Sequence, residues 1–530
     1  MNTKIKNNIR TLASKHHKKI KFVIIGTGCF VINSIILYAL TKLKLPIAPS
    51  QIIGYEGGLL FGYFMNSRWT FKKNDRGSTW SSILKYHWSS LSALLISTVI
   101  VVVLNREAGF QPNLALVVAS AAVLVWNYFL FDRFVFSQKR GYPNITSQQA
   151  VLIKRILMVF LVWEVVMMGF GIWASGLHPI SSTTVPAGTP YIIQHTYRWD
   201  SQWYAGISSN NWYKTNANSP AFYPLFPLII HATTYVTGNN VVIAAFVVNF
   251  IATGIAFCFL GLIVLEFTKN TSLALRSVLF FAAFPAAFYM HVMYSEAIFC
   301  ALGFAAFYYA LRRRWLICCL LLALSIVTRL PGALFALACF IEYLRSVNYS
   351  YKKVGLNILY FAITPLGFLA YAYYLYKLYG SPLYMFKAYH VGNIWSYENF
   401  RLNIFSTMYH TGRSAIAALV HKPGGWFFYV LWQFPSMLAW LFGILITLYG
   451  WIRNFINIPM IVLVLGSCLL LSLNGNFVSV IRYILPLFPI YIVLAKASLG
   501  SKRTFILLMF VSSLVELCFY VLFVKNYFIA

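Results

Sequence analysis

Acidic residues are scarce in this chain: Asp and Glu number 11 among 530 residues, and charged residues make up 10% of the sequence. Soluble domains usually carry about 25% charged residues. Apolar runs of roughly 17–25 residues, the length that crosses a bilayer, recur from end to end. A lipid-exposed backbone must satisfy its own hydrogen bonds, and long unbroken runs disfavour a β-barrel. The sequence therefore predicts an all-α polytopic membrane protein with about 15 transmembrane helices.

Motifs for nucleotides, redox cofactors and zinc are missing too. The sequence has no Walker, G-x-G-x-x-G, H-E-x-x-H or C-x-x-C pattern, which argues against nucleotide hydrolysis, dinucleotide binding and a zinc site. All eight cysteines fall in apolar runs without metal-ligand spacing or a disulfide framework. We expect them to be buried small hydrophobic side chains.

Positive charge is abundant by contrast, with 42 Lys and Arg residues and a formal net charge of +31. These residues are divided among short loops, as in cytoplasmic loops that face anionic lipid, so nucleic acid is not an expected partner. Residues 4–21 hold seven Lys and Arg, which places the N-terminus inside. The alternation of basic loops then places residues 177–220 outside the cell membrane.

The apolar runs divide the chain into two groups. Spans near 22–40, 50–66, 87–104 and 113–131 form a four-helix domain, residues 1–140, followed by a cytoplasmic linker, residues 141–155. Eleven further spans form a second domain, residues 156–530, with external loops at 177–220 and 379–423. These eleven lie near 156–175, 241–266, 274–290, 297–311, 315–329, 331–344, 354–378, 424–449, 457–473, 483–498 and 504–524. Segment 221–237, with two prolines and His231, is interpreted as a re-entrant or interfacial piece.

The first domain contains a repeat. GYFMNSRWTF at 62–71 and NYFLFDRFVF at 127–136 each place an Arg four residues after a Phe. Two interpretations of this pattern are open. The aromatic and basic side chains could anchor the helix at the membrane interface, or they could bind a lipid phosphate. The segment resembles the GtrA-like family, which implies a role in binding or flipping polyprenyl-phosphate-linked sugars. Asn66, Arg68 and Arg133 are the residues that the resemblance suggests for the lipid phosphate.

The second domain resembles GT-C glycosyltransferases, nearest the PIG-V-like mannosyltransferase group. The matching pieces are RWDSQWY at 198–204, AFYPLFP at 221–227, YSE at 294–296, TRLPG at 328–332 and RY at 482–483. The resemblance implies transfer of a hexose, with mannose suggested, from a polyprenyl-phosphate donor.

Asp200 is the candidate catalytic residue. A transfer from a phosphate leaving group needs one general base for the acceptor hydroxyl, and cations that receive charge on the phosphate. Glycosidases generally need two carboxyl groups. Candidate sugar or acceptor contacts around Asp200 are Arg198, Trp199, Trp203, Tyr204, Tyr223 and Glu296. The alternative is an interfacial helix in which a solvated Asp200 pairs with Arg198.

The remaining candidates are charged residues beside membrane spans, where charge is costly. Arg482 and Arg329 are expected to hold the donor phosphate in a forked contact, although headgroup contact would also explain them. Glu296 could instead cap a helix, or bind a divalent metal such as Mg²⁺ or Mn²⁺ together with Asp200.

Together these features predict a multi-pass cell-membrane glycosyltransferase whose first domain binds or flips the lipid-linked donor. The acceptor is expected to be a cell-envelope glycan, lipid or protein. A lipid-linked glycan flippase or transporter without chemistry, and a glycan polymerase or ligase, remain alternatives.

Overall fold

The computed structural model describes most of residues 147–527. The described ranges are 147–177, 184–210, 212–391, 404–421, 434–473, 477–527 and 529, residues 47–70, and scattered positions within 21–42, 86–90 and 123–127. The chain divides into two compact units, Met1–Asn144 and Ile145–Ala530. Arg133 and most of the spans expected near 87–104 and 113–131 lie outside the described residues.

The first unit contains helix α1 (Ile47–Met65), which continues into a five-residue π-helix, Asn66–Thr70. Tyr63 in α1 is buried and meets Tyr86 edge to face, with 5.7 Å between ring centroids. The π-helix contains the N-S-R-W-T motif.

The second unit is helical throughout its described residues. Its α-helices are α2 (Ser147–Ser175), α3 (Ser201–Asn210), α4 (Trp212–Thr215), α5 (Leu225–Thr234), α6 (Val241–Thr268), α7 (Thr271–Ala282), α8 (Glu296–Leu311), α9 (Trp315–Ile326), α10 (Gly332–Ser346), α11 (Leu366–Tyr379), α12 (Tyr384–Ala388), α13 (Ile404–His421), α14 (Phe434–Ile452), α15 (Ile458–Ser472), α16 (Val480–Ile484), α17 (Pro489–Ala497) and α18 (Lys502–Val524). Short 3₁₀-helices lie at Tyr191–Thr196, Ser219–Ala221, Ala287–Met290, Tyr351–Lys353 and Leu356–Ile363.

Within the described residues, five segments are long and apolar enough to cross a membrane. They are Gln148–Ser175, Val241–Thr268, Leu356–Tyr379, Phe434–Ile452 and Lys502–Val524, and several shorter apolar helices accompany them. In the described part of the chain an all-helical architecture with membrane-length helices is thus confirmed, while the count of about 15 spans stays a prediction. Helix α5 has ten residues and rises about 15 Å, half of a bilayer core, so it is too short to cross alone.

Local sequence explains where the long helices begin. The side chain of Asn240 accepts hydrogen bonds from the backbone N–H groups of Val242 and Ile243 at the start of α6. Asn270, Asn457 and Ser501 cap α7, α15 and α18 in the same way. These side chains satisfy donors that the first helical turn leaves free.

Helix boundaries differ from the expected spans in several places. Helix α2 begins at Ser147, so the second half of the expected linker is helical. The segment expected as a span at 274–290 is α-helical only to Ala282, and the region expected as an external loop at 379–423 contains α13, an 18-residue helix. The cytoplasmic side of the linker and the external side of the loop stay predictions.

The core of the second unit is built around α8, which packs along α6 and α9. The segment from residue 283 to 295 is buried although it is not α-helical. Asn249 Nδ2 donates to the Tyr294 carbonyl at 3.0 Å, and Thr253 Oγ1 donates to the Met290 carbonyl at 3.0 Å. Non-helical backbone is tolerated at membrane depth where protein groups satisfy it in this way. Cys300 is buried in this core as expected, whereas Cys518 on α18 is exposed.

Candidate active site

Four charged side chains from four separate segments meet within the second unit. Asp200 precedes α3, Glu296 is the first residue of α8, Arg329 lies between α9 and α10, and Arg482 lies in α16. We call these four residues the ion cluster. These four residues are spread over nearly 300 positions of the sequence, in three motifs and the RY dipeptide. Only the fold brings the four side chains together.

Arg482 joins the two carboxylates of the ion cluster. Its Nη1 lies 2.9 Å from Asp200 Oδ2, and its Nε lies 2.7 Å from Glu296 Oε1. Arg329 Nη1 contacts the same Glu296 oxygen. Two carboxylates and two guanidinium groups thus compensate one another, which buried charges require. Among the described residues, Glu296 Oε2 has no hydrogen-bond partner.

Exposure separates the two carboxylates. The Asp200 side chain is 20% exposed, whereas that of Glu296 is 1% exposed. Asp200 is therefore the carboxylate that a molecule from outside the protein can reach.

Tyrosine rings surround the guanidinium groups. The Arg482 guanidinium lies over the rings of Tyr294 and Tyr289, at 5.0 and 5.4 Å from the centroids, and Arg329 lies 4.5 Å over Tyr483. Such contacts stabilise a cation that has lost water. Sequence reasoning missed these rings as site residues, although Tyr294 and Tyr483 stand within the quoted motifs.

The backbone around Asp200 is held in an uncommon conformation. Trp199 has a φ of 51°, in the left-handed region that non-glycine residues seldom adopt. The Asp200 N–H donates to the Tyr294 hydroxyl at 3.1 Å, and the Trp203 N–H donates to the Asp200 carbonyl at 3.0 Å as α3 begins. Strain of this kind persists where surrounding contacts fix it, often at functional sites.

Arg198 does not pair with Asp200, in contrast to the alternative of an interfacial helix. Its Nε donates to the Val524 carbonyl at 2.9 Å, and its Nη1 donates to the Gln194 carbonyl at 2.9 Å. Arg198 therefore ties the segment before α3 to the end of α18. The guanidinium group bound to Asp200 comes from Arg482, 282 residues later.

The expected aromatic contacts divide into two groups. Trp199 and Trp203 are half-buried, and Trp203 stacks on Phe222 at 5.3 Å between centroids. Tyr204 and Tyr223 are buried, so their rings present no open face. The Tyr204 hydroxyl lies 3.0 Å from the hydroxyl of Ser295, next to Glu296, which suits a positioning role better than sugar stacking.

A second polar network anchors the segment that leads to Asp200. Glu164 Oε2 lies 2.6 Å from His291 Nδ1, and His291 Nε2 lies 3.1 Å from His195 Nε2, with the two imidazole rings stacked. His195 lies in the 3₁₀-helix outside the membrane-length segments. Burial lowers the pKa of His195 to about 2, with His291 and Arg198 adding to the effect. His195 is therefore neutral and can donate its Nε2 proton to His291, which donates its Nδ1 proton to Glu164.

Sequence reasoning did not predict this network, although the sequence contains one indication of it. Glu164 lies in the middle of a long apolar run, where a carboxylate is costly and needs a partner. No comparable sequence feature indicated His291 or His195, because their pairing depends on contacts between distant segments.

The lipid-phosphate candidates of the first unit differ in accessibility. Arg68 is exposed on the π-helix, whereas Asn66 is buried and its Nδ2 donates to the Tyr86 hydroxyl at 3.3 Å. Arg133 lies outside the described residues. Arg68 is thus the described candidate that a lipid phosphate can reach.

The ion cluster does not fit a divalent metal. No group of three or more His, Cys, Asp or Glu side chains suited to a metal occurs among the residues that the structure describes. Asp200 and Glu296 are both in contact with the Arg482 guanidinium, which occupies the position that a cation between them would take.

Comparisons with known proteins identify the first unit. Residues 21–136 match the GtrA/DPMS transmembrane domain family. The chain carries a GtrA/DPMS transmembrane domain at its N-terminal end. It is also 32% identical over 81 residues to a dolichol-phosphate mannosyltransferase of Pyrococcus furiosus, which is 15% of this chain and 23% of that protein. The chain therefore spans about a quarter of the length of this relative.

These findings confirm the GtrA-like resemblance and indicate a membrane function related to lipid-linked sugars. No solved structure matches the chain. The GtrA/DPMS match ends at residue 136, so the function of the ion cluster in the second unit is a matter of proposal.

Proposed function

We propose that residues 145–530 form a GT-C type glycosyltransferase. It transfers a hexose, with mannose as the first candidate, from a polyprenyl-phosphate sugar to an acceptor outside the cell membrane. The ion cluster is the observation that carries the proposal, because it holds an accessible carboxylate 2.9 Å from a buried guanidinium. Transfer of a sugar from a phosphate to a hydroxyl needs these two groups.

Asp200 acts as the general base. The acceptor oxygen forms a bond to the anomeric carbon of the donor, and the hydroxyl proton passes to the Asp200 carboxylate. Of the two carboxylates in the ion cluster, Asp200 has the more exposed side chain, at 20% against 1%. Trp199 and Trp203 border it and offer apolar edges to a sugar ring, while Arg198 positions the segment.

Arg482 receives the leaving group. As the bond between the anomeric carbon and the phosphate oxygen breaks, its electron pair stays on the phosphate, and a guanidinium stabilises that charge. The phosphate competes with Asp200 for Nη1 of Arg482. Its arrival weakens the ion pair and leaves the Asp200 carboxylate free to accept the hydroxyl proton.

Arg329 and Glu296 support this exchange. When Arg482 turns to the phosphate, Arg329 still compensates the buried carboxylate of Glu296, which it contacts directly. Tyr204 and Tyr223 contribute to packing around the site. Glu296 is thus a positioning residue in this scheme, and Arg329 adds positive charge beside the phosphate.

The GtrA/DPMS domain binds or flips the loaded lipid carrier and supplies it to the second unit. Joining two sites in one chain raises the local concentration of the carrier. Arg68, exposed beside Trp69, is the described candidate for the lipid phosphate, and Arg133 is its counterpart in the repeat. The N-terminus is cytoplasmic and Asp200 extracytoplasmic in this proposal.

Asp200→Asn is the first test. In proteoliposomes that contain a polyprenyl-phosphate radiolabelled hexose and a cell-envelope acceptor extract, we expect transfer to fall about 10²- to 10⁴-fold. Donor binding should persist, because the amide keeps the shape of the carboxylate. Glu266→Gln is the matched control: Glu266 is also 20% exposed and pairs with an arginine, Arg312, away from the ion cluster. This variant should transfer at the wild-type rate.

Unchanged transfer by the Asp200→Asn variant contradicts the proposal. A flippase or transporter would retain its activity in that variant. A polymerase or ligase would require a lipid-linked oligosaccharide and would leave the single-hexose donor unused.

A further inference from the structure

A cavity of about 540 Å³ lies against the helix that follows Asp200. From α3 it is lined by Gln202, Ala205, Gly206, Ser209 and Asn210. Their spacing of three, four, seven and eight residues places them on one face of the helix. The volume falls within the roughly 300–1,000 Å³ that is usual for small-molecule sites.

Another face of α3 belongs to the proposed active site. The Tyr204 hydroxyl lies 3.0 Å from the Ser295 hydroxyl, beside the ion cluster. Helix α3 therefore contacts both the surroundings of the ion cluster and the cavity. Tyr197, three residues before Asp200, and Gln202, two residues after it, both line the cavity. The cavity thus borders the segment that carries Asp200, where α3 begins.

The lining is polar but uncharged. Among the described residues that form it there is no Lys, Arg, His, Asp or Glu, although the chain has a net charge of +31. A phosphate group would need cationic partners. The polar groups of the lining include the amides of Gln202, Asn210, Asn239 and Asn240, the hydroxyls of Thr184, Tyr197 and Ser209, and the ring of Trp212. They suit a ligand that is rich in hydroxyl groups and carries no charge.

The cavity walls are fixed by contacts within the protein. Asn240 Nδ2 donates to Thr189 Oγ1 at 3.3 Å, which joins the start of α6 to the segment before α3. A Cβ at Gly206 would overlap the Trp212 ring, so this glycine lets the indole pack directly on α3. A site whose walls are already in place loses less entropy when a ligand binds.

We infer that this cavity binds an uncharged sugar unit of the acceptor glycan. The inference rests on the proposed function and names the class of acceptor: a neutral oligosaccharide that meets Asp200 through one hydroxyl and occupies the cavity with a neighbouring sugar. Contacts made away from the reacting atoms hold the hydroxyl in place for the transfer.

Sugar binding without any donor tests the inference. The probes are neutral trisaccharides of mannose, glucose or galactose, with glucose 6-phosphate as the charged comparison, titrated against the full-length protein in nanodiscs and followed by saturation-transfer NMR. Ser209→Phe narrows the cavity and Gln202→Ala removes one amide; both residues are exposed. Gln148→Ala, an exposed glutamine at the start of α2, is the matched control. Thermal unfolding confirms that each variant is folded.

We expect at least one neutral trisaccharide to bind the wild type, and its Kd to rise tenfold or more in Ser209→Phe and severalfold in Gln202→Ala. The Gln148→Ala variant should bind it as the wild type does. The inference is overturned if no neutral trisaccharide binds, if Ser209→Phe binds equally well, or if glucose 6-phosphate binds as tightly. Continued transfer by Asp200→Asn would instead remove the proposed function and leave the sugar site standing.

Discussion

Charge pairing at single residues decides which groups remain available for chemistry. Arg482 contacts both Asp200 and Glu296, whereas Arg198 uses its guanidinium on backbone carbonyls. Asp200 is therefore linked to a phosphate-binding candidate and not to its sequence neighbour. A forked guanidinium can exchange one carboxylate oxygen for a phosphate oxygen without losing its other contact.

His195 predicts a dependence of stability on pH. Its pKa is lowered from an ordinary value of 6.5 to about 2 in the folded protein, so below pH 6.5 the unfolded chain binds a proton that the folded protein does not. The free energy of unfolding should therefore decrease as pH falls below 6.5, by about 1.4 kcal/mol between pH 7.5 and 5.5 from this residue. His195→Asn should remove this part of the pH dependence, whatever its effect at pH 7.5.

The melting temperature in detergent, measured across that pH range, checks this prediction. His410→Asn is the control, because His410 is exposed on α13. An equal pH dependence of the melting temperature in the wild type and the His195→Asn variant would show that His195 is not held neutral by burial.

At the level of secondary-structure elements, the ion cluster forms where helices are interrupted. Asp200 lies just before α3, and Glu296 is the first residue of α8. Arg329 lies between α9 and α10, and Arg482 lies in α16, which has only five residues. Such ends free side chains and backbone groups for contacts that continuous helices would not allow. Helix α2 also takes part, since it carries Glu164 and lets His195 pack against it at Gly171.

Gly171→Ala should therefore disturb the site through α2. A Cβ at this position would overlap the His195 ring, and overpacking in a core costs about 1–3 kcal/mol. We expect a lower melting temperature and slower transfer. Gly169→Ala is the matched control, because a Cβ there meets nothing within 4 Å and alanine favours the helix. Equal melting temperatures for the two variants would contradict the close packing of His195 on α2.

For the whole molecule, the sequence was sufficient to predict the class of protein and to single out four charged residues that lie together in the structure. Apolar run length predicted an all-helical membrane protein, and the N-S-R-W-T motif led to the family that residues 21–136 match. The scarcity of carboxylates and the GT-C resemblance singled out Asp200, and charge beside membrane spans singled out Glu296, Arg329 and Arg482. The structure then placed these four residues in contact.

Partner choice and helix interruptions could not be predicted in the same way. The nearest cation to Asp200 in the sequence is Arg198. Asp200 nevertheless forms its ion pair with Arg482, which lies 282 residues later in the chain. The segment from residue 283 to 295 has the apolar composition of a membrane helix. Its non-helical backbone is held by hydrogen bonds from Asn249 and Thr253 on α6. Tertiary contacts of this kind leave no local pattern.

Photo-crosslinking with a donor analogue tests the central claim most directly. A polyprenyl-phosphate hexose with a photoreactive group beside the phosphate would be bound to the full-length protein and the labelled peptides identified by mass spectrometry. The account predicts labelling of peptides that contain Asp200, Glu296 and Arg482, lost in Arg482→Gln and retained in Asp200→Asn. Labelling confined to residues 21–136, or unchanged in Arg482→Gln, would contradict it.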